Sequence, residues 1–360
     1  MRTATSSGLD GVTVAETMIS DVDGERGRLV IAGSDVEELA ASASFEAAVS
    51  RVLGAAGGAP VDVAELAAAR TAAWEMMPRL GDALAANDGM DALRAALAHM
   101  RSTGDDRADA AAAIGAAPVF VAAWSRQRRH LAPVAPDRTL GHAADYLRMT
   151  IGGSPDPTAA RALEQYLVTV IDHGMNASTF TARVVASTAS DLISSVVAAV
   201  GALKGPLHGG APGPVLDMLD AIGEPARAEA WLLGELAGGR RIMGMGHRIY
   251  RVRDPRAAVL ETAVKPLASP RLELARAVEQ AAAKILREKK PDRPLAANVE
   301  FYTAVLLDAV GLPREQFSPT FGVGRIAGWS AHVLEQRAVG KLIRPASTYI
   351  GTLSTSSTKG

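Results

Sequence analysis

The 360-residue sequence contains no cysteine, which excludes disulfides, thiolate metal sites and a cysteine nucleophile. Aromatic residues are scarce, at 4%. An excess of one charge is lacking as well, with 38 Lys and Arg against 39 Asp and Glu. Domains that bind polyanions carry a basic surplus, so nucleic acid is not an expected partner. The opening MRTATSSGLDG has no apolar core of signal-peptide length, and the most apolar run, ISSVVAAVGAL (193–203), is too short to span a bilayer. A soluble, cytoplasmic protein with no membrane partner is expected.

What remains is a chain that is 48% apolar, much of it alanine. Alanine and leucine favour helix, and the length suits roughly two domains. VTVAETMISDV and RLVIAG, split by DGERG, predict a short β-hairpin. Ser34 with Glu37 reads as a capping box for DVEELAASA. GAAGGAP (54–60) predicts a loop, and RSTGDD, APVAPD and GGSPDP predict breaks between helices. The run from Asn176 to Gly205 reads as one buried helix. Shorter helices follow, then two strong helical patterns between 295 and 340, and a polar tail over 351–360. The expected fold class is mainly α, with a large and a smaller helical domain.

Seven histidines occur, none spaced three or four apart, so no helical metal motif is present. A lone histidine is more often structural than catalytic, but three have unusual neighbours. GPLHGGAPGPV (205–215) packs four glycines and three prolines around His208. A tight turn between helices needs one such residue, whereas glycines admit a ligand to the main chain and prolines stiffen the loop. His247 lies in IMGMGHRIYRVRDPR (242–256) beside Arg248, Arg251, Arg253 and Arg256. A solvated basic face is the plain reading, yet the grouping also fits a carboxylate or phosphate ligand. His173, in DHGMNASTFTAR, is at a helix junction where Asn176 or Ser178 could cap the next helix. Glu300 heads an apolar helix in NVEFY, and Arg325 and Arg344 lie among apolar neighbours. Buried charges of that kind need partners. Gly322, Gly324 and Ala327 match a dinucleotide-binding turn, but their flanks look helical and the downstream acid is missing, so that reading is rejected. Histidines, one carboxylate and several arginines suit enolate chemistry on a di- or tricarboxylate.

GPLHGGAP, GMGHRIYRVRDPR, NVEFY, FGVGRIAGWSAHVLEQ, KLIRPASTYIG and HGMNASTFTAR, in their order here, resemble the signature blocks of the citrate synthase family. The match covers roughly 140–350, and residues 45–135 match weakly. The resemblance implies a first large-domain part over 1–212, a small domain over 213–311 that closes over the substrates, and a return to the large domain over 312–360. It implies a homodimer in the tricarboxylic acid cycle that condenses acetyl-CoA with oxaloacetate and hydrolyses citryl-CoA, using no metal or other cofactor. His208 would hold the thioester carbonyl, His247 would donate to the oxaloacetate carbonyl, and Glu300 would remove the methyl proton. His173, Arg256 and Arg325 would bind oxaloacetate, with Arg344 entering from the partner subunit. Arg251 and Met243, Gly244, Met245 and Gly246 would lie against CoA. The chain departs from the family at Glu300, where aspartate is usual, and at IAG (31–33), where a tyrosine–arginine pair is more frequent. A 2-methylcitrate synthase using propionyl-CoA and a non-catalytic regulator that binds CoA or dicarboxylates are the alternatives.

Overall fold

Polar caps, more than prolines, begin the helices in the computed structural model, which describes residues 7–9, 11–209, 212–289 and 295–352. The expected hairpin forms as β1 (Ser20–Asp23) and β2 (Arg28–Ile31), antiparallel with Ser20 opposite Ile31 and Asp23 opposite Arg28. A third short strand, β3 (Ser34–Asp35), pairs with β2 through a turn in which Ala32 and Gly33 take positive φ of 46° and 81°. That pairing overturns the capping box expected at Ser34. Ser34 belongs to the strand, Asp35 is the cap residue of α1 (Val36–Ser42), and its side chain makes no capping bond.

Helices α2 (Phe45–Ala55), α3 (Val63–Met76) and α4 (Gly89–Ala98) follow. Asp62 and Glu65 form a complete capping box at the head of α3. The long α5 (Asp106–Arg128) is apolar enough by length and composition to cross a bilayer, but 89% of its apolar window is buried inside the protein. It packs on α3 and α4, and then on α6 (His142–Ile151), which is followed by α7 (Pro157–Thr169).

The run expected as one helix from Asn176 is two. Asn176 caps α8 (Ala177–Ala186) by accepting from the Thr179 amide, and Asp191 caps α9 (Leu192–Leu203) through the Ser194 amide. Between them Ala189 takes φ 65°, and Ser187 Oγ accepts the amide of Ile343 at 3.1 Å. Alanine's helix preference cannot prevail where a polar STASD stretch offers a new cap and a tertiary partner.

Helices α10 (Pro212–Ile222), α11 (Ala228–Ala237), α12 (Pro255–Val264), α13 (Arg271–Lys289) and α14 (Val299–Ala309) pack largely on one another. Among them α12 and α14 also rest on α7. The final helix, α15 (Phe317–Val339), runs through the core against α2, α5, α8 and α9. Gly322, Gly324 and Gly328 lie inside it, confirming that the glycine motif is no nucleotide turn. A Cβ on Gly324 would sit 2.7 Å from Val170 Cγ2, so glycine here serves close packing against the end of α7. Most of the expected tail lies outside the described residues.

Candidate active site

Four chain segments converge around the buried Arg256 and Arg325. His173 lies in the loop after α7, His208 in the turn after α9, His247 in the loop before α12, and Glu300 in the first turn of α14. The His173 and His247 rings stand 5.4 Å apart at 80°, and Tyr250 completes the group at 4.7 Å from His247. Tyr250 Oη is 3.1 Å from His173 Nε2. Sequence reasoning missed this tyrosine, although it is three residues from His247.

Main-chain amides specify the proton position on His247 and His208. His247 Nδ1 accepts the amides of Ile249 at 3.0 Å and Tyr250 at 3.1 Å. Amides only donate, so Nδ1 carries no proton and Nε2–H is the donor edge. Burial, with the nearby Arg256 charge, lowers the His247 pKa to about 4, and the ring is therefore a neutral donor at physiological pH. His208 Nε2 faces the Ser178 amide at 3.4 Å and its hydroxyl at 2.8 Å. Accepting from that amide places the ring proton on Nδ1. Trp329 Nε1, on α15, donates to Ser178 Oγ at 3.1 Å and steadies it. Burial, with Arg325 nearby, brings His208 to about 4 as well. Ser178 was noted in the sequence as a possible cap. In the structure Asn176 caps α8, and Ser178 holds the histidine instead.

The turn itself differs from the expected stiffened loop. Pro212 begins α10, leaving a short turn in which the His208 and Gly209 amides both bond to Gly205 O. A Cβ on Gly209 would lie 2.9 Å from Leu203 Cδ1, so this glycine lets the turn settle on the end of α9. Gly210 and Ala211 lie outside the described residues.

Two guanidiniums are buried here, with different partners. Arg256 is clamped by Asp254, with Nε–Oδ1 3.0 Å and Nη2–Oδ2 2.7 Å. Asp254 also caps α12 and accepts the Val299 amide, thereby joining α12 to α14. Arg325 donates from Nε to Val170 O at 2.6 Å and lies over the Phe321 ring at 4.6 Å. Its Nη2 has no hydrogen-bond partner among the described residues, and burial lowers its pKa to about 10. A guanidinium so placed attracts an anion. His173 is buried and held well below its ordinary pKa by desolvation, then by its electrostatic coupling to Arg256, His247, Arg325 and His208. Four of the expected site residues therefore act on it at once.

Glu300 is pushed up to about 7 by burial, with Arg256 pulling it down and Asp254 pushing it up. A carboxyl poised near neutrality can accept a proton from a weak carbon acid. Met243, Gly244, Met245 and Gly246 form a backbone seam with 295–298: Gly246 N donates to Ala296 O, Asn298 N donates to Gly244 O, and Met245 bridges Ala297. A Cβ on Gly244 would lie 2.9 Å from Phe301 Cβ, so this glycine brings the His247 loop close to the head of α14. Arg251 is exposed in the segment before α12, and Arg344 is exposed in the C-terminal segment. Among the described residues no group of three or more His, Asp or Glu is placed to hold a metal ion.

Comparison with known proteins covers nearly the whole chain, including the 45–135 region that the signature blocks leave uncovered. The family described as citrate synthase, C-terminal domain, matches residues 8–346. A citrate synthase of Mycolicibacterium smegmatis is 38% identical over 378 residues, covering 98% of each chain. A 2-methylcitrate synthase of Mycobacterium tuberculosis is 37% identical over 365 residues, covering 96% of this chain and 90% of the relative. Among solved structures, a ternary complex of carboxymethyl coenzyme A and oxaloacetate with citrate synthase from Thermoplasma acidophilum superposes with a TM-score of 0.87. It is 27% identical and covers 98% of this chain and 97% of that one.

Proposed function

This chain belongs to the citrate synthase family, and we propose that it condenses acetyl-CoA with oxaloacetate and hydrolyses the resulting citryl-CoA to citrate and CoA. The observation that carries this reading is the buried Arg325, whose Nη2 has no hydrogen-bond partner among the described residues, beside Arg256, His173 and a Glu300 poised near pH 7. Oxaloacetate brings two carboxylates, which Arg325, Arg256 and His173 take up. The Glu300 carboxylate removes a methyl proton from acetyl-CoA, while His208 donates from Nδ1 to the thioester oxygen as the enolate forms. The enolate carbon attacks the oxaloacetate carbonyl, and His247 Nε2–H donates to the oxygen as it gains charge. Water then cleaves the thioester, releasing CoA. These steps use acid–base groups alone, with acetyl-CoA as substrate and neither metal nor further cofactor taking part.

CoA is assigned to the seam of Met243, Gly244, Met245 and Gly246 with Arg251, and residues 213–311 act as the small domain that closes over both substrates. The chain is assigned to a cytoplasmic homodimer, in which the exposed Arg344 completes the partner's site. Initial rates of CoA release with oxaloacetate plus acetyl-CoA, then plus propionyl-CoA, test the reaction. Faster release with acetyl-CoA is expected. Preference for propionyl-CoA would make the chain a 2-methylcitrate synthase, and no release with either would leave a binding protein. Mixing Arg344→Ala with His208→Ala subunits should restore one competent site per heterodimer. If activity stays absent once exchange is confirmed, Arg344 serves its own subunit.

A further inference from the structure

The N-terminal hairpin touches both histidine loops, and nothing in the reaction scheme uses it. At one end, Ser20 Oγ donates to Asp172 Oδ2 at 2.5 Å and accepts the Gly174 amide at 3.0 Å. Asp172 and Gly174 are the two neighbours of His173 in the chain. Asp172 is also buried against His332 Nε2 at 3.3 Å, so its carboxylate is anchored to α15 as well. At the other end, Gly24 O accepts the Arg251 amide at 2.9 Å. A Cβ on Gly24 would lie 2.8 Å from the carbonyl carbon of Ile249 and closer still to its oxygen. Ile249 supplies one of the two amides that hold His247 Nδ1. Gly27, at the far end of the same turn, makes a similar contact, with a Cβ there 2.5 Å from Val252 Cγ2. The tip itself is set by Asp23, whose Oδ1 accepts the amides of Glu25 and Arg26.

We infer that the β1–β2 hairpin is a clasp that sets the relative placement of His173 and His247, with Ser20 and Gly24 as positioning residues. The inference deepens the proposed function, because it rests on those two imidazoles meeting one oxaloacetate. Two rings carried on separate loops, each in contact with the same four-residue strand or its turn, can be kept in register without touching one another through the substrate. A shift of either loop would misdirect a donor, and misplacement by about 1 Å can cost on the order of a hundredfold in rate.

The test uses the full chain. Gly24→Ala places a methyl group against the Ile249 carbonyl, and Ser20→Ala removes the hydroxyl from Asp172 and Gly174. Arg26→Ala is the control, since its side chain is 84% exposed on the same turn. Imidazole nitrogen shifts measured by NMR on the protein without substrate report the His247 tautomer independently of activity. We expect Gly24→Ala to move those shifts from a single Nε2–H form towards averaged values, and to raise the oxaloacetate KM by about tenfold or more. Ser20→Ala should raise that KM less, and Ser20→Thr, which keeps the hydroxyl, should recover it. Arg26→Ala should match the parent in both measurements. Unchanged shifts and unchanged KM in folded Gly24→Ala and Ser20→Ala would overturn the clasp. If Gly24→Ala does not fold, the Ser20→Ala and Ser20→Thr pair decides alone. A parent protein without condensing activity would count against the proposed function, while the imidazole shifts would still judge the clasp.

Discussion

The chain buries charge in two places and treats it in opposite ways. Between α3 and α6, Arg70 donates from Nε to Asp145 at 2.8 Å and from Nη2 to Leu140 O at 2.8 Å, and Nη1 faces His142 Nδ1 at 3.5 Å. Asp145 takes a second guanidinium from Arg148 and the Asp137 amide. Glu46 accepts the His142 amide at 2.7 Å. Every ion there has a fixed protein partner. In the site, by contrast, Arg325 reaches one carbonyl, and Glu300 has a cation near it but no hydrogen-bonded partner for its carboxylate among the described residues. Desolvation costs are comparable in kind, but the first region offsets them throughout, whereas in the site only Arg256 has a carboxylate clamp. An ion left unpaired inside a well-packed protein is held for something that arrives later. That difference separates structural charge from catalytic charge better than burial does, since Arg70 and Arg325 are both 1% exposed.

Breaking each region should therefore damage a different property. Glu300→Gln and His208→Ala are expected to lower turnover by about 10²–10⁴-fold, the usual range for a lost acid–base group. Oxaloacetate binding should change little, because both residues act on the acyl-CoA half of the reaction. Steady-state rates with isothermal titration of oxaloacetate check this, and near-normal turnover in either variant removes that residue from the mechanism. Arg70→Ala should do the reverse. It leaves Asp145 with Arg148 and the Asp137 amide but without its buried partner, and is expected to cost about 3 kcal/mol of stability, while protein that remains folded keeps its KM for oxaloacetate. Denaturant unfolding alongside kinetics would read both, and a large KM change with intact stability would erase the contrast.

A smaller effect sharpens the site side. Glutamate stands where the family usually has aspartate, and its extra methylene must be accommodated between the head of α14 and the Asp254–Arg256 pair. With the pocket fitted to the longer side chain, Glu300→Asp is expected to reduce turnover by roughly ten- to a hundredfold instead of restoring it. Single-turnover measurements would check this. A rise in rate would mean that the native glutamate is a poorly placed base.

How much of this could be read from the chain depended on distance along it. Glycine-flanked histidines and arginines among apolar neighbours are local signals, and His173, His208, His247, Arg256, Arg325 and Glu300 do come together. The residues that aim them were not legible. Ser178 holds His208 from thirty positions away, and Trp329 reaches Ser178 across 151. Asp172 looks like any helix-end acid until Ser20 and His332 meet it in space. For the fold, Ser34 and Glu37 suggested a capping box where a strand forms, the complete box at Asp62 and Glu65 went unread, and the division at Ser187–Asp191 was masked by alanine on either side. Glycines told least about purpose: at 209, 244 and 324 they serve close packing, which only the neighbouring surface reveals.

The smallest expected effect comes from the Glu300 proton, and it joins the two halves of the comparison. The carboxyl has its pKa raised from 4.5 to about 7 in the folded chain. Between those values the folded state holds a proton that the unfolded state has released, so stability falls as pH rises across that interval and is lowest above it. Catalysis needs the opposite form, and kcat/KM should climb through about pH 7 as the carboxylate appears. One group thus gives stability and activity slopes of opposite sign. Glu300→Gln mimics the protonated form at every pH. Its melting temperature should match the parent below pH 4.5 and exceed it by a few degrees above pH 7, with the gap opening between the two. Paired thermal melts across that range are sufficient. A constant gap would show that the carboxyl titrates normally and that burial does not raise its pKa.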